Sequence, residues 1–162
     1  MKLATLVVVF LLAALPSAQA FDKDGKPANP VEAAYRAAKP PMPRAPLKDG
    51  ETAQARAEAW EAFAAKEAHE HATVTGLKGQ GSGKPNCAEC EGWAWLNAGT
   101  AWFHLSESLG GEEKVAAMKK AVECYGNATE AAGATDECKA AASRSRDNLS
   151  EALSKLEARA KK

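Results

Sequence analysis

The residues best suited to chemistry in this 162-residue chain are its four cysteines. Two of them form the motif Cys87-Ala88-Glu89-Cys90, and the other two are Cys124 and Cys138. At the first turn of a helix, backbone N–H groups and the helix dipole stabilise a thiolate. A Cys-x-x-Cys pair in that position could therefore carry out thiol–disulfide exchange or bind a metal ion.

The first 20 residues have the pattern of a signal peptide. Met1-Lys2 is basic, the segment from Leu3 to Leu15 is almost wholly apolar, and small residues precede a cleavage point after Ala20. The apolar run is short for a transmembrane helix, and no second long apolar run follows it. We therefore expect residues 1–20 to be removed and the mature chain to be exported, to a periplasm or to the extracellular space, without membrane insertion.

An exported chain with an even number of cysteines is typical of disulfide-bonded proteins. Dithiol oxidoreductases place their Cys-x-x-Cys after a β-strand, and strand patterns are absent from this sequence. Haem attachment would need a histidine after Cys90, where Glu91 stands. The sequence therefore predicts two structural disulfides and no cofactor, with a four-thiolate zinc site as the alternative.

The charge balance argues against nucleic acid as a partner. The chain contains 21 basic and 21 acidic residues, and only Lys2 is lost with the signal peptide. A nearly neutral chain gives no electrostatic case for binding nucleic acid or an anionic membrane. Another protein, of unknown identity, is the expected partner.

Residues 21–50 are rich in proline and include the run Pro40-Pro41-Met42-Pro43. Proline removes a backbone donor and biases its neighbours toward extended chain. We expect residues 21–50 to form an extended or disordered leader, followed by a helical domain over residues 51–162.

The helical domain shows four helical patterns, and its fold class is predicted to be all-α. It is expected to be a disulfide-linked four-helix bundle or a short stack of helical hairpins. The predicted helices span Glu51 to Ala72, Asn86 to Leu109, Glu112 or Glu113 to Ala132, and Asp136 to Ala160. Asp49 or Thr52 could cap the first helix, and Thr135 the fourth.

Apolar residues three and four apart predict the core. The expected core residues are Trp60, Trp95, Leu96, Trp102, Phe103, Val122, Tyr125 and Leu149. A second stripe on the third helix consists of small residues, which let another helix approach closely. We expect that stripe to face the fourth helix; it comprises Ala117, Ala121, Cys124 and Ala128.

Folding the second helix back on the third about Gly110-Gly111 gathers all four cysteines toward one end of the domain. Three disulfide pairings are possible, and this geometry does not choose securely among them. It favours Cys87 with Cys138 and Cys90 with Cys124, which would tie the second helix to both of its neighbours.

The second and third helices together resemble a tetratricopeptide-type hairpin between Trp95 and Ala128. The matching residues are Trp95, Ala98-Gly99 and Trp102 on one helix, and Ala121, Tyr125 and Ala128 on the next. Gly99 and Ala121 lie further apart than the corresponding family residues. Longer helices would keep the packing register. The resemblance implies interlocked antiparallel helices and a protein-binding role.

Two other motifs do not support a site. On a helix, the imidazoles of His69 and His71 would point about 200° apart and could not share one metal ion. The run from Gly81 to Lys84 lacks the first glycine of a phosphate-binding loop and is followed by Pro85. His104 is expected to be partly packed.

No catalytic set of residues emerges from the sequence. It predicts an exported helical module for protein–protein interaction or a structural role, without catalytic activity. The alternative is a thiol-redox or zinc-binding protein that uses Cys87 and Cys90.

Overall fold

A computed structural model describes residues 37–70, 88–131 and 134–160, and all regular secondary structure in these ranges is helical. The helices are α1 (Ala53–Phe63), which continues into a π-helical turn (Ala64–Ala68), α2 (Ala88–Glu107), α3 (Gly111–Glu130) and α4 (Asp136–Ala160). The predicted all-α class is confirmed. None of these helices is long and apolar enough to cross a membrane. The predicted signal peptide lies outside the described residues.

The helix ends follow local signals in the sequence. Thr52 Oγ1 accepts a hydrogen bond from the Ala55 amide at 3.0 Å, as expected of an N-cap. Thr135 caps α4 in the same way, through a 3.2 Å bond from the Cys138 amide. Gly111 has a φ of 54°, in the left-handed region that glycine favours, and lets α3 begin directly after the turn. The π-helical turn was not expected from the sequence.

Consecutive helices form the main interfaces. α1 packs on α2, α2 on α3, and α3 on α4, whereas the contact between α2 and α4 is much smaller. Within the described residues, α1 and α4 share no extensive interface. Both α2 and α4 therefore rest on α3 without closing over it.

The apolar cluster between α1 and α2, which we call the Trp60 cluster, is thoroughly buried. Trp60 is completely inaccessible, and its ring meets that of Phe63 edge to face at a centroid distance of 5.7 Å. Most other members are alanines, which let the helices approach closely. The cluster consists of Ala57, Trp60, Phe63, Ala64, Ala68, Ala94, Ala98, Ala101 and Cys124, with Trp95 and Trp102 partly buried against it.

A second cluster, the Leu149 cluster, joins α3 to α4. Its buried members are Met118, Ala121, Tyr125, Leu149 and Leu153. Leu96, Phe103 and Val122 are partly buried against it. The small-residue stripe of α3 was expected to face α4, and Ala121 of that stripe does lie in this cluster. The expectation is wrong for Cys124, which packs into the Trp60 cluster, and larger side chains of α3 such as Met118 and Tyr125 also face α4.

Arg56 fastens the end of the leader to α1. Its side chain is only 2% exposed and makes a two-pronged ion pair with Glu51, with Nε–Oε1 at 2.6 Å and Nη2–Oε2 at 2.5 Å. The same guanidinium donates to the carbonyl oxygens of Met42, Ala45 and Pro46. The described part of the leader is thus hydrogen-bonded to the helical domain by a buried cation.

Trp60 and Glu61 add further links from α1. Trp60 Nε1 donates to the Pro41 carbonyl oxygen at 2.8 Å. The Glu61 carboxylate accepts from Trp102 Nε1 of α2 at 2.9 Å and from Lys120 Nζ of α3 at 2.8 Å. One acidic side chain therefore connects three helices.

Candidate functional site

A large concave surface among the described residues is a groove between α2 and α4, floored by α3. We call it the α2–α4 groove. It consists of two adjoining cavities of about 360 and 440 Å³, which share Phe103, Leu149 and Ala152. The first is also lined by Arg44, Thr100, Tyr125, Ser145 and Asn148. The second is also lined by Ser106, Glu107, Lys114, Met118, Lys155, Leu156 and Arg159.

The groove exists because α2 and α4 each pack on α3 and meet one another only slightly. Close packing of α2 on α3 depends on Gly99. A Cβ atom at Gly99 would lie 2.6 Å from Cδ1 and Cε1 of Tyr125, so only glycine leaves room for that ring. The Tyr125 ring is thereby held against α2 and forms part of the floor.

Residues of α4 face the groove at helical spacing. Ser145, Leu149, Ala152 and Leu156 follow one another by three or four residues, a spacing that places them on one face of α4. Leu149 is 5% exposed, but the other three are only half-buried because none of the described helices covers them fully. An apolar stripe that the sequence pattern assigns to the interior is thus left partly open to solvent.

The first cavity ends in a group of polar side chains around Tyr125. Burial raises the pKa of the Tyr125 hydroxyl, while hydrogen bonds with Thr100 and Ser145 and the positive charge of Arg44 act in the opposite direction. The hydroxyl of Thr100 also donates to the Leu96 carbonyl oxygen at 2.9 Å. Tyr125 therefore stays protonated at neutral pH and serves as a hydrogen-bonding group, not as a base.

Arg44 reaches the groove from the leader. The hydrogen bonds that Arg56 and Trp60 make with the leader backbone hold the segment that contains Arg44. The Arg44 side chain is exposed and lines the first cavity, close enough to influence Tyr125 electrostatically. The buried clamp on α1 thus positions a cation at the groove.

The rim of the groove is mainly cationic. Arg44, Lys114 and Arg159 line it, and none of them makes an ion pair with any other described residue. Lys155 also lines it but is bonded to Glu151 at 2.6 Å. The acid among the lining residues, Glu107, lies 2.9 Å from His104 Nδ1.

Cys124 is a buried thiol within the Trp60 cluster. Burial raises its pKa to about 12, and the negative charges of Glu61 and Glu123 act in the same direction. A thiol with this pKa is neutral at physiological pH and is a poor nucleophile. Cys124 is therefore a packing residue in this structure.

Cys138 lies against the beginning of α2. Its thiol is buried, and burial raises its pKa. A Cβ atom at Gly92 would lie 3.2 Å from Cys138 Sγ, so Cys138 packs near the end of α2 that carries Cys90. This placement agrees with the expectation that Cys138 gathers near the Cys-x-x-Cys motif. Cys87 and the side chain of Cys90 lie outside the described residues.

Neither expected disulfide is seen among the described residues, in which Cys124 and Cys138 are free thiols. The packing of Gly99 on Tyr125 places Cys124 level with Thr100 in this antiparallel helix pair. Cys90 is ten residues away along α2, which corresponds to roughly 15 Å. Since disulfide-bonded Cα atoms lie within about 7 Å of one another, this register argues against the expected Cys90–Cys124 link.

The two described histidines, His69 and His104, do not belong to a metal site. His69 Nδ1 lies 3.0 Å from Glu91 Oε1, and His71 falls outside the described residues. His104, which was expected to be partly packed, has an exposed side chain. Among the described residues, no group of three or more His, Cys, Asp or Glu side chains is arranged to hold a metal ion. The run from Gly81 to Lys84 also lies outside them.

Comparisons with protein-family models, with curated proteins and with solved structures found no match for this chain. The site is therefore interpreted from its own geometry.

Proposed function

We propose that this protein is an exported, non-enzymatic module that binds a helical segment of another protein in the α2–α4 groove. The observation that carries the proposal is the half-buried stripe of Ala152 and Leu156 beside the buried Leu149, facing an open groove. A binding helix typically inserts its apolar face into a hydrophobic groove of this kind.

The size of the groove supports a polypeptide ligand. The lining of α4 extends from Ser145 to Arg159, a rise of roughly 21 Å. A helix of about four turns matches that length. Its apolar residues would contact Phe103, Leu149 and Leu156, which removes from water the surface that α2 and α4 leave exposed.

The arrangement of the helices is part of the proposal. Sequential packing without a large α1–α4 interface supports a short TPR-like stack of helical hairpins over a closed four-helix bundle. In such stacks each helical unit contacts mainly its neighbours, and the open surface is used for binding.

We also propose a single interhelix disulfide in the exported protein, between Cys138 and one cysteine of the Cys87/Cys90 pair. It is supported by the position of Cys138 beside Gly92 at the beginning of α2. The remaining cysteine of the pair and Cys124 then keep free thiols. Mass spectrometry of the exported protein after alkylation, with and without reduction, should show one disulfide that includes Cys138. A disulfide that includes Cys124 would contradict the register described above.

The alternative, a thiol-redox or zinc protein, would depend on Cys87 and Cys90. The thiols of Cys124 and Cys138 give this alternative no support, because both are buried and both have raised pKa values. The protein-binding proposal, in contrast, uses a surface that is open.

Site-specific photo-crosslinking tests the proposal. A photoreactive residue at Ala152, in the groove, is compared with one at Ala140, an exposed position on the same helix. In the native exported fraction, we expect a discrete adduct from position 152 and none from position 140. Purified competitor protein carrying Ala140→Arg should suppress the adduct, and competitor carrying Ala152→Arg should not. Equal adducts at both positions, or equal competition, would refute the groove as the binding site.

A further inference from the structure

We propose that the segment bound in the α2–α4 groove is an acidic amphipathic helix of a partner protein. This inference rests on the proposed function and specifies the chemistry of its ligand. It is drawn from the charges on the rim and from the shape of the groove.

The rim charges are unbalanced toward positive. Arg44 at one end of the groove, and Lys114 and Arg159 at the other, have no acidic partner among the described residues. Glu107, the acid among the lining residues, lies 2.9 Å from His104 Nδ1, and the lining cations outnumber it. A ligand with carboxylates near both ends of a helix would supply the missing counter-charges, whereas a basic helix would be repelled.

The floor between these charges is apolar and suits the other face of such a helix. Phe103, Met118, Leu149 and Leu156 lie between the cationic ends. Arg44 and Arg159 can make two parallel hydrogen bonds to a carboxylate, which adds geometric selectivity to the charge attraction. The groove therefore offers an apolar strip with cationic ends, complementary to a helix whose acids flank an apolar face.

The open groove favours a helix over a small amphiphile such as a fatty acid. Small-molecule sites usually enclose most of the ligand surface. Both cavities of the α2–α4 groove are open to solvent along one side. A helix can leave its polar face in water there, while an acyl chain would stay largely exposed.

Fluorescence anisotropy with designed peptides tests the inference on the full mature chain. Three labelled peptides of about 14 residues share one Leu-rich apolar face and carry Glu, Gln or Lys at the flanking positions. The protein variants are Arg44→Gln/Lys114→Gln/Arg159→Gln and the control Lys139→Gln, an exposed position on α4 outside the groove. Ala152→Arg and Ala140→Arg report whether binding occurs in the groove, and circular dichroism melts confirm that each variant folds.

At about 50 mM salt, the Glu peptide should bind about tenfold more tightly than the Gln peptide, and the Lys peptide most weakly. The triple variant should lose this preference, Lys139→Gln should keep it, and about 300 mM salt should reduce it. Ala152→Arg, but not Ala140→Arg, should abolish binding of the Glu peptide.

The peptide-binding results distinguish failure of the acidic-ligand inference from failure of the proposed function. Equal affinity for the Glu and Gln peptides, lost in Ala152→Arg, would overturn the acidic ligand and leave the proposed function intact. Absence of binding by every peptide would overturn both proposals. Sodium oleate is included as a further probe, and oleate binding that depends on Ala152 without any peptide binding would also overturn both, in favour of a small amphiphile.

Discussion

The two apolar clusters of this domain differ in how completely they are covered. In the Trp60 cluster, Ala57 and Trp60 have no exposed surface at all. In the Leu149 cluster, the buried core is smaller, and Phe103 and Leu156 beside it are only half-buried. The same central helices, α2 and α3, contribute to both clusters.

The difference has an identifiable structural cause. On the first side, α1 covers α2, and Arg56 and Trp60 draw the leader over the remaining edge. On the second side, α4 packs on α3 but contacts α2 only slightly, which opens the groove. The comparison separates a fully covered side of the domain from a partly open side, which is the one proposed to bind a partner.

The largest loss of stability should come from truncating Trp60, the fully buried aromatic residue of the Trp60 cluster. Trp60→Ala is expected to lower the free energy of unfolding by about 4 kcal/mol, because a fully buried aromatic ring is lost. The substitution also removes the hydrogen bond from Trp60 Nε1 to the Pro41 carbonyl oxygen. Leu156→Ala, on the open side, should cost less than about 1.5 kcal/mol, and the half-buried Trp102→Ala should fall between them. Urea denaturation gives these values, and equal losses for Trp60→Ala and Leu156→Ala would remove the distinction between the sides.

The next effect should come from the buried arginine. Arg56→Met is expected to cost about 3 kcal/mol, since it removes the donor to the Ala45 and Pro46 carbonyls and the ion-pair partner of Glu51. Arg56→Lys should restore only part of this, because an ammonium cannot make the two-pronged bond to the carboxylate. Urea denaturation again supplies the measurement, with the exposed Arg144→Met as the matched control. If Arg56→Met proves as mild as Arg144→Met, the leader is not fastened in the way described.

A smaller change in stability tests the packing of α2 on α3, the two helices that contribute to both clusters. Gly99→Ala should destabilise the protein by about 1–3 kcal/mol, because its methyl group would collide with the Tyr125 ring. Gly126→Ala is the control on the neighbouring helix, where an added Cβ meets nothing within 4 Å. There we expect stabilisation by about 0.5–1 kcal/mol from improved helix propensity. Thermal unfolding of the two variants should therefore shift in opposite directions, and shifts of the same sign would contradict this packing.

Local patterns in the sequence predicted much of the fold. The helix span of α4 and the caps at Thr52 and Thr135 follow from residue types that act on their immediate neighbours. Hydrophobic spacing also identified the residues that meet at helix interfaces. The π-helical turn Ala64–Ala68 was missed because alanine-rich sequence is compatible with several helical geometries.

Long-range partners were harder to predict. Which stripe of α3 faces α4 depends on the shape of the neighbouring helix as well as on small residues, and Cys124 was assigned to the wrong neighbour. In the sequence, Arg56 looks like any exposed charged residue of an amphipathic helix. Nothing in the neighbouring residues indicates its hydrogen bonds to the leader carbonyls. For the groove, one signal was available. The inward stripe of α4 continues past Leu149 to Leu156, further than α3 alone can cover.

The smallest effect concerns the dependence of the leader clamp on pH. The hydrogen bonds from Arg56, followed by that from the Lys48 amide, lower the pKa of Glu51 from 4.5 to about 2. Because the pKa is lower in the folded state, the stabilisation is fully present above pH 4.5 and is lost as the pH falls toward 2. The melting temperature should therefore fall more steeply between pH 5 and pH 2 in the unmodified protein than in Glu51→Gln. Glu58→Gln, an exposed acid on α1, should retain the steep fall. If the melting temperatures of the unmodified protein and Glu51→Gln fall in parallel with pH, the ion pair between Arg56 and Glu51 makes no pH-dependent contribution to stability.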